Sequence, residues 1–487
     1  MSTKKLTYTL LLMLCSAIVA MGQERMVYMG DSLQSVPYSE FVNANIVIID
    51  IQTVNGEMPT CDYIYPPTDE DGNSLGWGKS IANATKVPGR MKIIQGTNTI
   101  FDSGEYSQGR SGMTMRIRGN SSAYAYAKPY KIDLQEKADL LMRNNPSYRD
   151  KDWLLIKDVG FNWMMGLEVS RLLGMDFVPG YRYATLILND TYYGIYMITE
   201  SVKRNTNCRI NVAKSGFIFE YDAYWWTEDV YIESSFYPTM KYTIKYPDPT
   251  TDNDLQFLAG RISDYENSIG DGTYESQIDV TSFARWILGL DILGIFDSAG
   301  SNMFLSIYDH DAKIKIPTMW DFDSSKKRET LWSRTHTNTM NRFFKSSNKA
   351  FTRAFVTEWE RLSPIINSRL NTVMNKFGNS SEGDALQRAY DYHKLIWPTH
   401  GSVRTCIIKN LDWISKRKKW IDKNIQAYYT RGDVNRDWIV DIEDVNAVIN
   451  MILGNSEQNA TSADLNKDNI IDVEDVNLLI NIILNSQ

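Results

Sequence analysis

The last 57 residues carry one sequence twice, and that repeat fixes how the tail of this chain can fold. Asp433-Val-Asn435-Arg-Asp437-Trp438-Ile439-Val-Asp441-Ile-Glu443-Asp444 returns 31 positions later as Asp464-Leu-Asn466-Lys-Asp468-Asn469-Ile470-Ile-Asp472-Val-Glu474-Asp475. A twelve-residue loop of this kind wraps a hard cation with side-chain oxygens at positions 1, 3, 5, 9 and 12 and a backbone carbonyl at position 7. The expected calcium ligands are therefore Asp433, Asn435, Asp437, Ile439, Asp441 and Asp444, then Asp464, Asn466, Asp468, Ile470, Asp472 and Asp475. Behind each loop stands a helical stripe: Val445, Val448, Ile449, Ile452 and Leu453, then Val476, Leu479, Ile480, Ile483 and Leu484. Spacing of i, i+3, i+4, i+7, i+8 predicts one buried face per helix. Neither half can bury its stripe alone, so the halves must pack on each other.

The duplication resembles a type I dockerin. That resemblance implies a calcium-dependent module that plugs a secreted protein into a cohesin-type receptor. The pattern departs from an EF-hand by closing each loop with Asp and by lacking a helix before the loop. At position 6, where Gly is usual, stand Trp438 and Asn469. Asn tolerates positive φ and Trp does so less readily, so the first site is expected to be the weaker. Positions 10 and 11 read Ile442-Glu443 and Val473-Glu474 where many dockerins carry Ser-Thr, which leaves the partner open.

Lys4-Lys5 followed by an apolar run from Leu6 to about Gly22 reads as a secretory signal peptide over residues 1–22. No second apolar run approaches the roughly 20 residues that span a bilayer. Beyond the signal lie Cys61, Cys208 and Cys406, too few for a disulfide scaffold; one bridge or three free thiols both remain open. The formal charge is −7. From Arg431 onward, eleven acidic and three basic residues give −8, so the rest sums to +1. The acidity belongs to the loops. No nucleic-acid motif, phosphate loop or nucleophile elbow occurs.

Residues 23–110 read as a β-rich segment, with a strand from Val42 to Thr53. Met113–Arg118 alternates and stops at Gly119-Asn120, and Pro129–Leu134 is the next strand, which predicts a hairpin around Ser121–Lys128. A helix is expected from Trp163 to Leu173, ending at Gly174. Tyr183–Leu188, the turn Asn189-Asp190, and Gly194–Thr199 predict a second hairpin. After a linker at Pro247–Asn253 the periodicity is helical from Leu255 to Gln426, interrupted by strand-like Met303–Ile307 and Lys313–Trp320. The order predicts an α+β domain of two lobes, β-rich then α-rich, over residues 111–428, with a small all-α calcium loop-helix module at 431–487.

Three segments suit phosphoryl transfer, which needs a carboxylate near the acceptor hydroxyl, Asn and Asp on Mg²⁺, and Lys on phosphate. They are Asp297–Asn302, Trp320-Asp321-Phe322-Asp323, and Lys131 in its strand. Arg118-Gly119-Asn120-Ser121, Lys128-Pro129-Tyr130-Lys131-Ile132, Asn189-x3-Tyr193-Gly194-Ile-Tyr196-x3-Glu200 and Trp320–Asp323 together resemble the CotH kinase family across residues 110–425. This family is similar to an atypical protein kinase that uses Mg-ATP to phosphorylate protein serine. The resemblance implies Asp297 as catalytic base, Asn302 and Asp321 (or Asp323) as Mg²⁺ ligands, and Lys131 on phosphate. It places Arg118 nearby and Glu200 at the nucleotide-binding edge; Glu168 is a partner for the lysine by position. Many relatives carry a basic residue after the catalytic Asp, where this chain has Ser298.

These readings combine into a secreted Mg-ATP-dependent kinase acting on a protein serine and tethered through the dockerin. The alternative is a non-catalytic pseudokinase serving as a binding or structural subunit of a polysaccharide-degrading or cell-surface assembly.

Overall fold

Alternation of apolar and polar residues drives the front of the chain into strands, and the strands close on themselves. The computed structural model describes residues 24–32, 34–76, 78–237, 239–296, 302–397, 401–455 and 460–485; the expected signal peptide at 1–22 and Asp297 lie outside them. Seven strands form a ring: β1 (Val47–Thr53), β2 (Val87–Gln95), β3 (Met113–Ile117), β4 (Tyr130–Ala138), β5 (Asp150–Ile156), β6 (Tyr181–Leu188) and β7 (Thr191–Glu200). Their order is β5-β4-β3-β2-β1-β6-β7, and β7 pairs back onto β5 through Trp153↔Glu200 to Ile156↔Met197. All contacts are antiparallel except β1 with β6. Inward residues such as Met91, Met115, Ile132, Trp153, Leu186 and Tyr196 fill the ring as one core. The N-terminal β-rich segment thus gives β1 and β2 to the same sheet, while Asp62–Ile64 and Ser80–Ala82 pair apart from it.

Outward residues of the ring meet a second core shared with the helices: Leu154, Ile156, Tyr183, Ile195 and Met197 pack with α1 (Asn162–Leu173) and the helices that follow. A four-stranded sheet stands beside the ring, ordered β9 (Tyr231–Glu233), β10 (Lys241–Tyr246), β8 (Phe217–Asp222), β11 (Met303–Ile307). The helix α2 (Asp252–Asp271) packs on this sheet, α5 (Ser381–Ile396) packs on ring strands β6 and β7, and α3 (Val280–Leu293) packs with α4 (Ala350–Leu362) and α6 (Val403–Asn424). The architecture is α+β, sheet-rich in front and helical behind. Among the described residues no helix is long and apolar enough to cross a membrane, and Cys61, Cys208 and Cys406 are free thiols.

Both expected hairpins form, β3–β4 and β6–β7. Asn189 and Asp190 turn the second with φ of 46° and 58°, the conformation a tight hairpin requires. Two expectations change. The strand expected from Val42 starts at Val47, because Tyr38–Asn43 forms a helical turn that buries Phe41. Lys313–Trp320 makes only single bridges, Ile278↔Ile314 and Ser306↔Lys315. Pro317 lacks an N–H for a ladder, and its carbonyl instead accepts from Phe177.

The C-terminal module contains α7 (Ile442–Ile452) and α8 (Val473–Asn485), packed on each other. Val434, Val445, Val448, Met451, Leu465 and Leu479 form its core. The expected stripe is only partly buried: Ile449, Ile452, Leu453, Ile480 and Leu484 are exposed. Two short helices have one mutual side to cover, so the flank of each stripe stays in solvent.

Candidate functional site

Where the outer wall of the ring faces the four-stranded sheet, a cavity of about 370 Å³ opens. Arg118 enters it directly after β3, and its backbone N–H is tied to the Pro129 carbonyl at 3.1 Å, across the β3–β4 rung. Lys157 enters directly after β5, so the two cations stand at neighbouring strand ends on one rim. Among the described residues neither makes a side-chain hydrogen bond or ion pair. Burial pushes both below their ordinary values, with Asp321, Asp323 and Glu220 opposing the shift at Arg118. Two partly desolvated cations with no carboxylate in contact, Lys157 resting instead over the Trp397 ring at 4.2 Å, suit an anionic ligand.

The opposite wall carries Asn302, Trp320, Asp321 and Asp323. Asn302 opens β11 and donates from Nδ2 to Asp321 Oδ2 at 3.4 Å. Its backbone N–H reaches Glu220 Oε1 at 3.1 Å. Asn302 and Asp321 hold φ of 67° and 60°, a left-handed backbone that concentrates at functional sites. Helix α1 sets the acidic segment in place. Trp163 donates to Asp323 Oδ1 at 2.8 Å. Its ring meets Trp320 and Phe322 edge-on, at 4.9 and 5.3 Å. Phe322 lies so close to Gly166 that no methyl group would fit there.

A second cavity of about 390 Å³ shares Arg118, Gly119, Asn120 and Tyr224 with the first. It holds Arg116, Glu220, Asp222 and Lys245. Burial and the neighbouring Asp222 push the Glu220 carboxyl up to about 7, while Lys245 at 3.5 Å restrains it.

The structure therefore brings Arg118, Asn302, Asp321 and Asp323 to one cavity. It does not bring Lys131, Glu168 or Glu200 there. Lys131 shares the outer face of the ring with Arg116, yet pairs with Asp133 at 3.2 Å and Asp152 at 3.5 Å. Glu168 is held by Arg171 and by the Tyr181 hydroxyl at 2.8 Å, not by Lys131. Glu200 is buried against Arg143 at 3.0 Å and the Gly180 N–H at 2.8 Å. Lys157, Trp163 and Glu220 escaped the sequence reading as site residues. For Lys157 the signal was a lone cation ending an apolar strand, as Arg118 does.

The two C-terminal loops repeat their hydrogen bonds. Asn435 and Asn466 accept from Asp437 N and Asp468 N, each at 3.0 Å, and Asp437 and Asp468 accept from Ile439 N and Ile470 N, each at 2.8 Å. The closing carboxylates turn onto backbone: Asp444 accepts from Val434, Asn435 and Asp441, and Asp475 from Leu465, Asn466 and Asp472. Among the described residues no three Asp, Glu, His or Cys side chains gather as a metal cage. The donor set still fits a hard cation: all its atoms are oxygens, and Asp433 Oδ1 is buried with no partner.

Residues 115–397 match the family model described as CotH kinase protein, and residues 431–484 match the one described as dockerin type I domain. No curated protein matches the chain.

Proposed function

Since the chain belongs to the CotH kinase protein family and ends in a type I dockerin domain, we propose that it transfers phosphate from Mg-ATP to a protein serine while held on a cohesin-type receptor. Dockerin type I domains bind calcium, a dockerin implies a cohesin partner, and dockerin proteins are typically extracellular or cell-surface. Export through residues 1–22 fits that setting.

One observation carries the enzymatic reading. Asn302 and Asp321, joined by a hydrogen bond and both in left-handed backbone, face Arg118 and Lys157 across one cavity. Arg118 and Lys157 would take the phosphates, and Asn302 with Asp321 would hold magnesium, Asp323 orienting the segment through Trp163. Bound magnesium would neutralise phosphate charge as the bond to the leaving oxygen breaks. Asp297 would accept the proton of the serine hydroxyl. Lys131 could reach phosphate only by exchanging Asp133 and Asp152.

That engagement of Lys131 favours a second reading, a pseudokinase serving as a binding subunit of a cell-surface or polysaccharide-degrading assembly. Titration of the chain with Mg-ATP decides between them. The kinase reading expects nucleotide binding that Asp321→Ala weakens at least tenfold, and serine labelling that Asp297→Ala abolishes while nucleotide still binds. Binding without labelling would leave a pseudokinase that holds nucleotide, and no binding at millimolar nucleotide would remove the kinase reading and leave the non-catalytic binding subunit.

A further inference from the structure

The two calcium loops share a sequence plan but not an environment. In the second loop Lys467 and Asn469, at positions 4 and 6, are exposed and Asp464 is half-buried. In the first, Arg436 and Trp438 at the same positions are half-buried and Asp433 is fully buried. The cover comes from the chain itself. Trp438 stacks on Tyr429 at 6.0 Å with planes 12° apart. Arg353 of α4 lies 5.8 Å from the Trp438 ring centroid and donates to the Trp438 carbonyl at 3.3 Å. Arg436 pairs with Glu360 of α4 at 3.4 Å and lies over Tyr429, whose hydroxyl donates to the same Glu360 oxygen at 2.5 Å.

Trp438 also shapes the loop. It holds φ of 72°, which a large side chain adopts only when its surroundings compensate. In that conformation its N–H donates to Asp433 Oδ2 at 3.0 Å, beside the unpartnered Asp433 Oδ1. The residue that turns the loop is therefore the residue the domain grips. We infer that Arg353, Glu360 and Tyr429 form an interaction surface for the first calcium loop. Calcium in that loop and docking of the loop on α4 strengthen each other, whereas the second loop binds calcium independently. Coupling of this kind is reciprocal: what docking adds to calcium affinity, calcium adds to docking. The inference rests on the calcium-loop reading and not on phosphoryl transfer.

The test is calcium titration of the full chain against a competing fluorescent chelator. Asp468→Ala isolates the first loop, and Asp437→Ala isolates the second. Arg353 and Glu360 are exposed, so Arg353→Ala with Glu360→Ala removes the grip without disturbing a core. The first loop's affinity is expected to fall roughly tenfold in that double variant, within the usual range for coupled sites, and the second loop's to stay unchanged. Small-angle scattering should show a longer maximum dimension after chelation in the wild-type chain. In the Arg353→Ala, Glu360→Ala variant, whose first loop has lost its partners on α4, the dimension with calcium bound should already exceed the wild type's. Equal first-loop affinity with and without the grip, or a wild-type dimension indifferent to calcium, overturns the inference. Absence of calcium from both loops overturns the loop reading with it.

Discussion

Left-handed backbone at Asn302 and Asp321 costs about 1–2 kcal/mol each for an ordinary side chain, less for Asn and Asp, so the site stores only modest strain. Asp321→Asn should therefore keep the fold, with the melting temperature shifted by no more than a few degrees, while Mg-nucleotide affinity drops at least tenfold; paired calorimetry and thermal melts would show the split. Lys131 behaves differently. Burial and a hydrogen bond with Asp152 push the Asp133 carboxyl up, and Lys131 pulls it back. Asp152 is also buried, yet Asp133, Lys203 and Lys131 together hold it down. A raised acid favours the folded state at low pH, and that contribution is lost as pH climbs through its folded pKa; a depressed acid gives the reverse. The two slopes oppose each other in the native pair. Lys131→Ala should raise both carboxyls, so the melting temperature should fall more steeply between about pH 4 and pH 7 than in wild type. A flat difference across that range would show that Lys131 faces neither carboxylate in solution.

Helix α1 shows how an element can carry a site without touching a ligand. Gly166 and Trp163 fix Phe322 and Asp323, so Gly166→Ala must displace the Phe322 ring. Overpacking of this kind costs about 1–3 kcal/mol, measurable by denaturant unfolding, and the same variant should loosen Mg-nucleotide binding. Both hairpins and this helix were legible because their periodicities of 2 and 3.6 are local. Asn189-Asp190 and Gly174 punctuated them correctly. The start of β1 was not legible, since Val42 and Val47 look alike until Phe41 is seen buried in a helical turn. Nor was the β5–β7 closure, which joins residues about 45 positions apart and leaves no pattern in either strand. Of the candidate site, Arg118, Asn302, Asp321 and Asp323 were readable as motifs. Lys157 was not, because its role follows from which strand end neighbours Arg118.

At the scale of the whole chain, the acidic tail and the larger domain respond to different reagents. The tail's loop carboxylates repel one another without a cation, so chelation of residues 430–487 should cost helical circular dichroism, and calorimetry should count about two Ca²⁺ per tail on return. Unchanged helicity on chelation would refute a calcium-dependent fold. Ring closure has a further consequence. Edge strands are templates on which crowded chains add to one another. Here β5 and β7 seal the sheet, and the ribbon appended to β7 ends in Ser35–Pro37, three residues long and stopped by proline. The neighbouring sheet ends at the three-residue β9 on one side and at the five-residue β11 on the other, where Lys315 bridges Ser306, and the strand Asn98–Asp102 pairs with β2 alone. Among the described residues, copies arrayed side by side on a surface would find only short stretches of open backbone to share, and could stand close with little tendency to zip together.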